Sequence, residues 1–222
     1  MADVEPGTPR NDHDAQVSSH PPQRSHRQQT NRAATVQEVD DAFGGLAARH
    51  GLEDRRGTSP DGLPERYLYS PDLTYRYAFG RWWGDPDLAT SDVWVLLNPA
   101  TGDTEQRRRP TLEKCIRRSR DAGRSGPVIV NLFAYRHTDP NQLQSAADPV
   151  GPANDDVLRV LTAGAPRTVA AWGSHGSLHG RSRAVAPLLD HPHCLGTTRH
   201  GEPRHPLYVP ADTPLVPWTA PA

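Results

Sequence analysis

Three short apolar runs punctuate the chain at similar intervals from residue 93 onward: VWVLL at 93–97, VIVNL at 128–132 and TVAAW at 168–172. Runs of this length, bounded by turn residues, read as strands buried on both faces. Residues 193–196 (HCLG) form a shorter fourth candidate. Between them lie segments with helical spacing. Residues 110–122 open on Pro110, place Leu112, Cys115, Ile116 and Ser119 on one face and stop at Gly123. Asn154 is positioned to cap a helix through Thr162, with Val157, Leu158 and Leu161 inward. A further helix follows Gly173-Ser174 through Leu189. Upstream, residues 74–82 alternate, with Tyr75, Tyr77 and Phe79 on one side, as in a half-buried antiparallel or edge strand.

Alternating strands and helices imply an α/β domain. The expected architecture is three-layer α/β/α, with a central, mainly parallel four-stranded sheet and one added N-terminal antiparallel strand. It spans residues 63–222. Residues 1–62 are poor in large apolar side chains and rich in Pro, Gln, Ser, Arg, Asp and His. They bury too little surface to offset ordering entropy and read as a disordered tail. Within it, Val36, Val39, Phe43 and Leu46 share one face of a short helix at 36–50.

Composition narrows the function classes. The chain of 222 residues is 35% apolar, with mean hydropathy −0.73. No run reaches the roughly 18 apolar residues of a membrane span. The N-terminus has no apolar signal core. These features lead to the expectation of a cytoplasmic protein with no membrane partner. Two cysteines, Cys115 and Cys194, are too few for a cysteine-built zinc site or iron–sulfur cluster. No Gly-rich phosphate loop or dinucleotide fingerprint is present, so neither metal nor cofactor is expected. Net charge is −1, which by itself gives no argument for nucleic acid. Locally, Arg107, Arg108 and Arg109 precede a basic helix, and Arg199, His200, Arg204 and His205 cluster in a Gly/Pro-rich loop.

In open parallel sheets, ligands bind beyond the carboxyl ends of the strands. There this sequence places Asn98-Pro99 and Asp103, then Asn131 with Phe133 and Tyr135, then Ser174-His175, then Arg204-His205. Asn131 interrupts an apolar strand. Its amide either pins a neighbouring loop or reads a ligand such as a nucleobase edge. Phe133 and Tyr135 either pack in the core or stack on a base. His175 and His179 stand four apart on an expected helix, without the acidic partner of a zinc protease motif. Ser174-His175 lacks the nucleophile-elbow context.

The segments LLNPATGD, PTLEKCIRRSRDAG, VIVNLFAYRHTDP, DPVGPAND, VAAWGSHG and GEPRHPLYVP, in this order, resemble domain-of-unknown-function family 1643 over about residues 76–218. Members of that family often carry Asp where this chain has Arg109. The same order of features also resembles the uracil-DNA glycosylase superfamily. That resemblance implies the superfamily's fold and roles for matching residues. Asn98-Pro99 matches a first-strand motif that places the attacking water. Asn131 matches a strand Asn that reads the base. Trp172-Gly173 matches a strand-end turn, and His205-Pro206 a loop whose His stabilises the departing base. Leu207 stands where the superfamily commonly has a phosphate-contacting Ser.

The expectation is therefore an N-glycosidase acting on DNA or a nucleotide, with catalytic Asn98, Asp103 and His205. Pro99, Asn131, Phe133, Tyr135, Ser174, Arg199 and Arg204 would bind the substrate. Two further readings stand beside it. One is a non-catalytic nucleic-acid or nucleotide sensor. The other is a nucleotide hydrolase or transferase unrelated to DNA.

Overall fold

The computed structural model describes Met1, residues 26–101 and residues 109–221, with side chains of the first helix described from Glu38 onward. In chain order the regular elements are α1 (His26–His50), β1 (Glu53–Thr58), β2 (Pro64–Tyr69), β3 (Arg76–Arg81), β4 (Asp92–Leu96), α2 (Pro110–Asp121), β5 (Pro127–Asn131), α3 (Asn154–Ala163), β6 (Arg167–Ala170), α4 (Arg181–Val185), β7 (His193–Cys194) and β8 (Val216–Pro217).

All the described strands join one sheet in the order β1-β2-β3-β5-β4-β6-β7-β8. β4 runs parallel to β5 and β6, and β6 runs parallel to β7. The remaining pairings are antiparallel. The α/β character agrees with the alternation in the sequence, but the sheet has eight strands where five were expected. Of the three added strands, β1, β2 and β8, the two at the sheet edges carry little apolar signal. β1 reads EDRRGT, an edge strand whose charged side chains give no apolar alternation. β8 is two residues long and includes Pro217.

The strand period of two sorts the core onto two faces. Val93 and Val95 of β4 face one side with Val157, Leu158 and Leu161 of α3 and Val185 of α4. Trp94 and Leu96 face the other, against Leu112 and Cys115 of α2. Parallel strands buried on both sides need apolar residues at consecutive positions, and VWVLL supplies them.

The same packing brings part of the expected tail onto the sheet, and the helix expected there at 36–50 is present within α1. Val39, Phe43 and Leu46 of α1 are fully buried in the α3 face of the core. Asp40 of α1 pairs with Arg66 of β2, which also pairs with Asp54 of β1 at 2.6 Å. Arg66 lies over the Phe43 ring at 5.1 Å. One apolar stripe of three residues is enough to dock a helix when a sheet face awaits it, so low overall hydropathy misleads here.

β3 contains a bulge. Leu68 pairs with Ala78 but Tyr69 pairs with Arg76, leaving Tyr77 as the extra residue. The expected single face for Tyr77 and Phe79 does not hold: Tyr77 packs in the α3 face and Phe79 in the α2 face. A bulge re-aims side chains, and here it brings Arg76 beneath the same face as Phe79, 5.9 Å from that ring.

The amino end of β4 is anchored by charge. Asp92 is completely buried, accepts from Arg167 at 2.8 and 2.6 Å and from Ser119 of α2 at 2.7 Å. Trp94 donates to the same Ser119 hydroxyl at 3.0 Å. These bonds fix α2 against the sheet at the end opposite the carboxyl ends of the strands.

Candidate functional site

A cavity of about 1030 Å³ opens at the carboxyl ends of the parallel strands, on the α2 face. Phe79, Leu96, Ile129 and Leu112 give it an apolar floor, and Asn98, Asn131, Ser174, Arg204 and His205 give it polar walls. The strand order places these residues there. Leu96 of β4 lies beside Asn131 of β5 in register, so the carboxyl ends of both strands reach the same level.

Asn131 is 1% exposed, and neither its Nδ2 nor its Oδ1 has a hydrogen-bond partner among the described residues. Its backbone, by contrast, is held firmly. The Asn154 amide donates to the carbonyls of Asn131 and Leu132 at 3.0 and 2.9 Å. Asn154 was expected to cap α3; instead it is the first residue of that helix, and no side chain caps the turn. It is spent on β5. Arg181 adds a second donor to the Leu132 carbonyl at 2.8 Å.

His205 precedes a short 3-10 turn at Pro206–Tyr208, and its Nδ1 accepts from the Leu207 backbone N–H at 3.3 Å. An acceptor Nδ1 leaves the neutral ring's proton on Nε2. Burial holds the His205 pKa below its ordinary value, which favours that neutral form. The ring lies 5.6 Å from Tyr208.

The loop carrying His205 is clamped. Gly173 donates to the Pro203 carbonyl at 2.9 Å, and Arg204 donates to the Gly196 carbonyl at 2.9 Å. Gly173 sits at φ 78, and a Cβ there would meet the His205 Cβ at 3.3 Å, so backbone angle and close approach both favour glycine. Glu202, 3% exposed, accepts from Trp172 Nε1 at 2.7 Å and from Ser182 Oγ at 2.8 Å. Glu202 escaped the sequence reading, since a glutamate in a Gly/Pro loop carries no mark of burial.

Asn98 donates from Nδ2 to the His137 carbonyl at 2.7 Å, and the His137 N–H returns a bond to the Pro99 carbonyl at 3.0 Å. The amide nitrogen is therefore committed to holding two loops together.

Several expected binding residues lie elsewhere. Phe133 is fully buried in the α3 face of the core, because alternation ends at Asn131 and both Leu132 and Phe133 turn to that side. Tyr135 stacks on His137 at 6.2 Å and packs against Tyr75, and it does not line the cavity. Pro99 is buried and Arg199 is exposed, bonded to His200; neither lines it. Asp103, with Arg107 and Arg108, lies outside the described residues. His175 and His179 do not share a helix, since His179 at φ 52 and Gly180 at φ 66 break the expected one. Residues not expected to bind the substrate take part instead. Arg76, re-aimed by the bulge, and Arg109 and Thr111 at the start of α2 all line the cavity.

Three arginines and two histidines line the cavity, with no carboxylate among the described lining residues. Among the described residues, no group of three His, Cys, Asp or Glu is placed to hold a metal ion, and no helix is long and apolar enough to cross a membrane. Cys115 is fully buried, and burial pushes its thiol pKa far up, away from reactivity.

No curated protein and no solved structure matches the chain. The likeness to the glycosylase superfamily therefore rests on the quoted motifs alone. A family model does match, over residues 76–207, from the bulged strand to the loop of His205. With well over half of its length under that model, the chain belongs to the family described as protein of unknown function DUF1643.

Proposed function

We propose that this protein is an N-glycosidase of the uracil-DNA glycosylase type, cleaving the bond between a base and its sugar in DNA or in a nucleotide. The observation that carries the reading is Asn131. A buried amide without a partner is costly, by about 1–3 kcal/mol in mutational estimates. A ligand that supplies one acceptor and one donor removes that cost, and a nucleobase edge offers both.

The chemistry needs a donor where negative charge develops, a placed water and a shaped pocket. As the C1′–N bond breaks, its electron pair moves onto the base. Neutral His205, with its proton on Nε2, donates a hydrogen bond to that developing charge. The Asn98 amide, held by the His137 carbonyl, presents its oxygen to accept from the attacking water. The water oxygen bonds to C1′, and the proton it loses passes to the departing base anion, which leaves as the neutral base. Phe79 in the cavity floor supplies the aromatic surface for the base, in place of Phe133.

The experiment is base release from DNA carrying uracil, mismatches or modified cytosines, and from free nucleotides, followed by chromatography of the liberated base. The expected result is release by the wild-type chain and a loss of about 100-fold or more in His205→Ala, the scale of removing one charge-stabilising donor. Asn131→Ala is expected to lose release as well. Undiminished release in both variants overturns the assignment.

One observation favours a second reading, a non-catalytic nucleotide sensor. The described lining residues include no carboxylate to serve as a general base, and Asn98 does not ionise. Tight binding without base release distinguishes it.

A further inference from the structure

We infer that the cavity holds the phosphate group of its nucleotide against the first turn of α2; this rests on the nucleotide reading above and names a second recognition point within the same site. α2 is twelve residues long, and its N-cap residue Arg109 makes no side-chain capping bond. The first turn of a helix has backbone N–H groups without intrahelical partners, and the macrodipole places partial positive charge there. Pro110 has no N–H, so Thr111 and Leu112 present the donors. Pro110, Thr111 and Leu112 all line the cavity. Among the described residues no side chain caps this helix start, and a helix start that faces a cavity is a ready site for phosphate.

The surrounding charge agrees. Arg109 stands at the helix start, Arg76 is nearly buried beside Phe79, and Arg204 lies at the rim with its Nε donating to the Thr197 carbonyl at 3.1 Å. Arg76 and Arg109 also interact with other groups of the chain. The whole chain carries a net charge of −1, so this concentration of positive charge is local to the cavity. Clefts lined by one sign of charge concentrate the opposite ion.

Asn131 supplies the independent sign that a ligand belongs here. It is buried, has no partner among the described residues and lines the same cavity. It fits the base, while the α2 turn and the arginines fit the phosphate. A volume of about 1030 Å³ has room for base, sugar and phosphate together. The chemistry is that of a nucleotide phosphate, whether the monoester of a free nucleotide or the diester of a strand.

The test is titration calorimetry of the full chain with a panel of nucleoside 5′-monophosphates, the parent nucleosides, a single-stranded deoxyoligonucleotide and inorganic phosphate. The monophosphate that binds best should exceed its nucleoside by about tenfold or more, a difference of about 1.4 kcal/mol. Inorganic phosphate should compete with it. In Arg109→Gln and Arg204→Gln, both checked for unchanged melting temperature, the ratio of monophosphate to nucleoside affinity should fall towards one. Preference for the monophosphate over the oligonucleotide assigns the site to a monoester; the reverse preference assigns it to a strand. Equal affinity for nucleoside and monophosphate overturns the phosphate inference and leaves the glycosidase reading standing. Phosphate-dependent binding without base release from any substrate overturns the glycosidase reading and leaves the phosphate site. If no member of the panel binds at millimolar concentration, both fall.

Discussion

The side-chain amide of Asn154 donates to the backbone carbonyls of Asn131 and Leu132, so the residue that starts α3 sets the end of β5. Both carbonyls face Nδ2, and the Asn154 oxygen has no partner among the described residues. Asn154→Ala removes two hydrogen bonds from a fully buried site. The expected loss is about 1–3 kcal/mol of unfolding free energy, because two buried carbonyls each lose a donor. Urea denaturation measures it. A loss below about 0.5 kcal/mol would show that Arg181, the other donor to Leu132, holds the strand end unaided.

Asn131 behaves in the opposite way. Its amide has no partner among the described residues, so replacing it by an apolar residue of similar size relieves a cost. Asn131→Leu should leave stability unchanged or raise it by about 1 kcal/mol, while abolishing ligand binding. Paired denaturation and calorimetry check the two effects together. Marked destabilisation would mean that the amide is already satisfied in the empty protein.

Burial places the His205 pKa below its ordinary 6.5. Between the folded and unfolded values the unfolded chain binds more protons, so stability falls as pH falls. The contribution is complete above about pH 6.5 and is lost progressively below it, down to the folded pKa. The difference in unfolding free energy between pH 7.5 and pH 5.5 should therefore be larger in wild type than in His205→Gln. Equal differences would remove His205 from the list of buried neutral groups.

Glu202 holds Trp172 and Ser182 from the loop that ends in His205. Glu202→Ala leaves the Trp172 and Ser182 donors buried and unpaired, with an expected cost of about 2–4 kcal/mol by the scale of bonds to charged groups. Glu202→Gln keeps one acceptor and should recover part of it. Thermal unfolding of the two variants, ranked in that order, is the check. Identical midpoints would show that the loop is held by its backbone bonds alone.

For the amino-terminal helix, Phe43→Ala should cost about 3–5 kcal/mol, the usual range for a fully buried aromatic residue. Denaturant titration reads it directly. A change within about 0.5 kcal/mol would return α1 to the status of a dispensable extension.

What the sequence made legible follows from the strength of its patterns. The apolar runs at 93–97, 128–132 and 168–172 stand out because strands covered on both faces leave little room for polar residues. Their carboxyl ends could then be read as one locus, and Asn98, Asn131 and His205 share a cavity for that reason. β1 stayed hidden because an edge strand can satisfy its charged side chains in water. The direction of Arg76 depends on one extra residue at Tyr77, which no periodicity announces. Phe133 was misplaced because alternation ends at the last ladder residue, two positions earlier. Glu202 was missed because its burial comes from partners 20 and 30 residues away.

The chemistry of the two outermost strands has a consequence for how copies of the molecule meet. An open sheet presents a row of unpaired backbone groups at each edge, a template on which another chain can add a strand. On one side, β1 carries Glu53, Asp54, Arg55 and Arg56 in succession, with Arg55 and Arg56 exposed. On the other, β8 is two residues long and its second residue, Pro217, has no N–H to donate. An incoming strand would have to desolvate charges on the first side and would find almost no ladder on the second. This sheet is thereby guarded against the edge-to-edge growth that leads to fibrils, and replacing Arg55 and Arg56 with valine should turn a soluble edge into an aggregation-prone one.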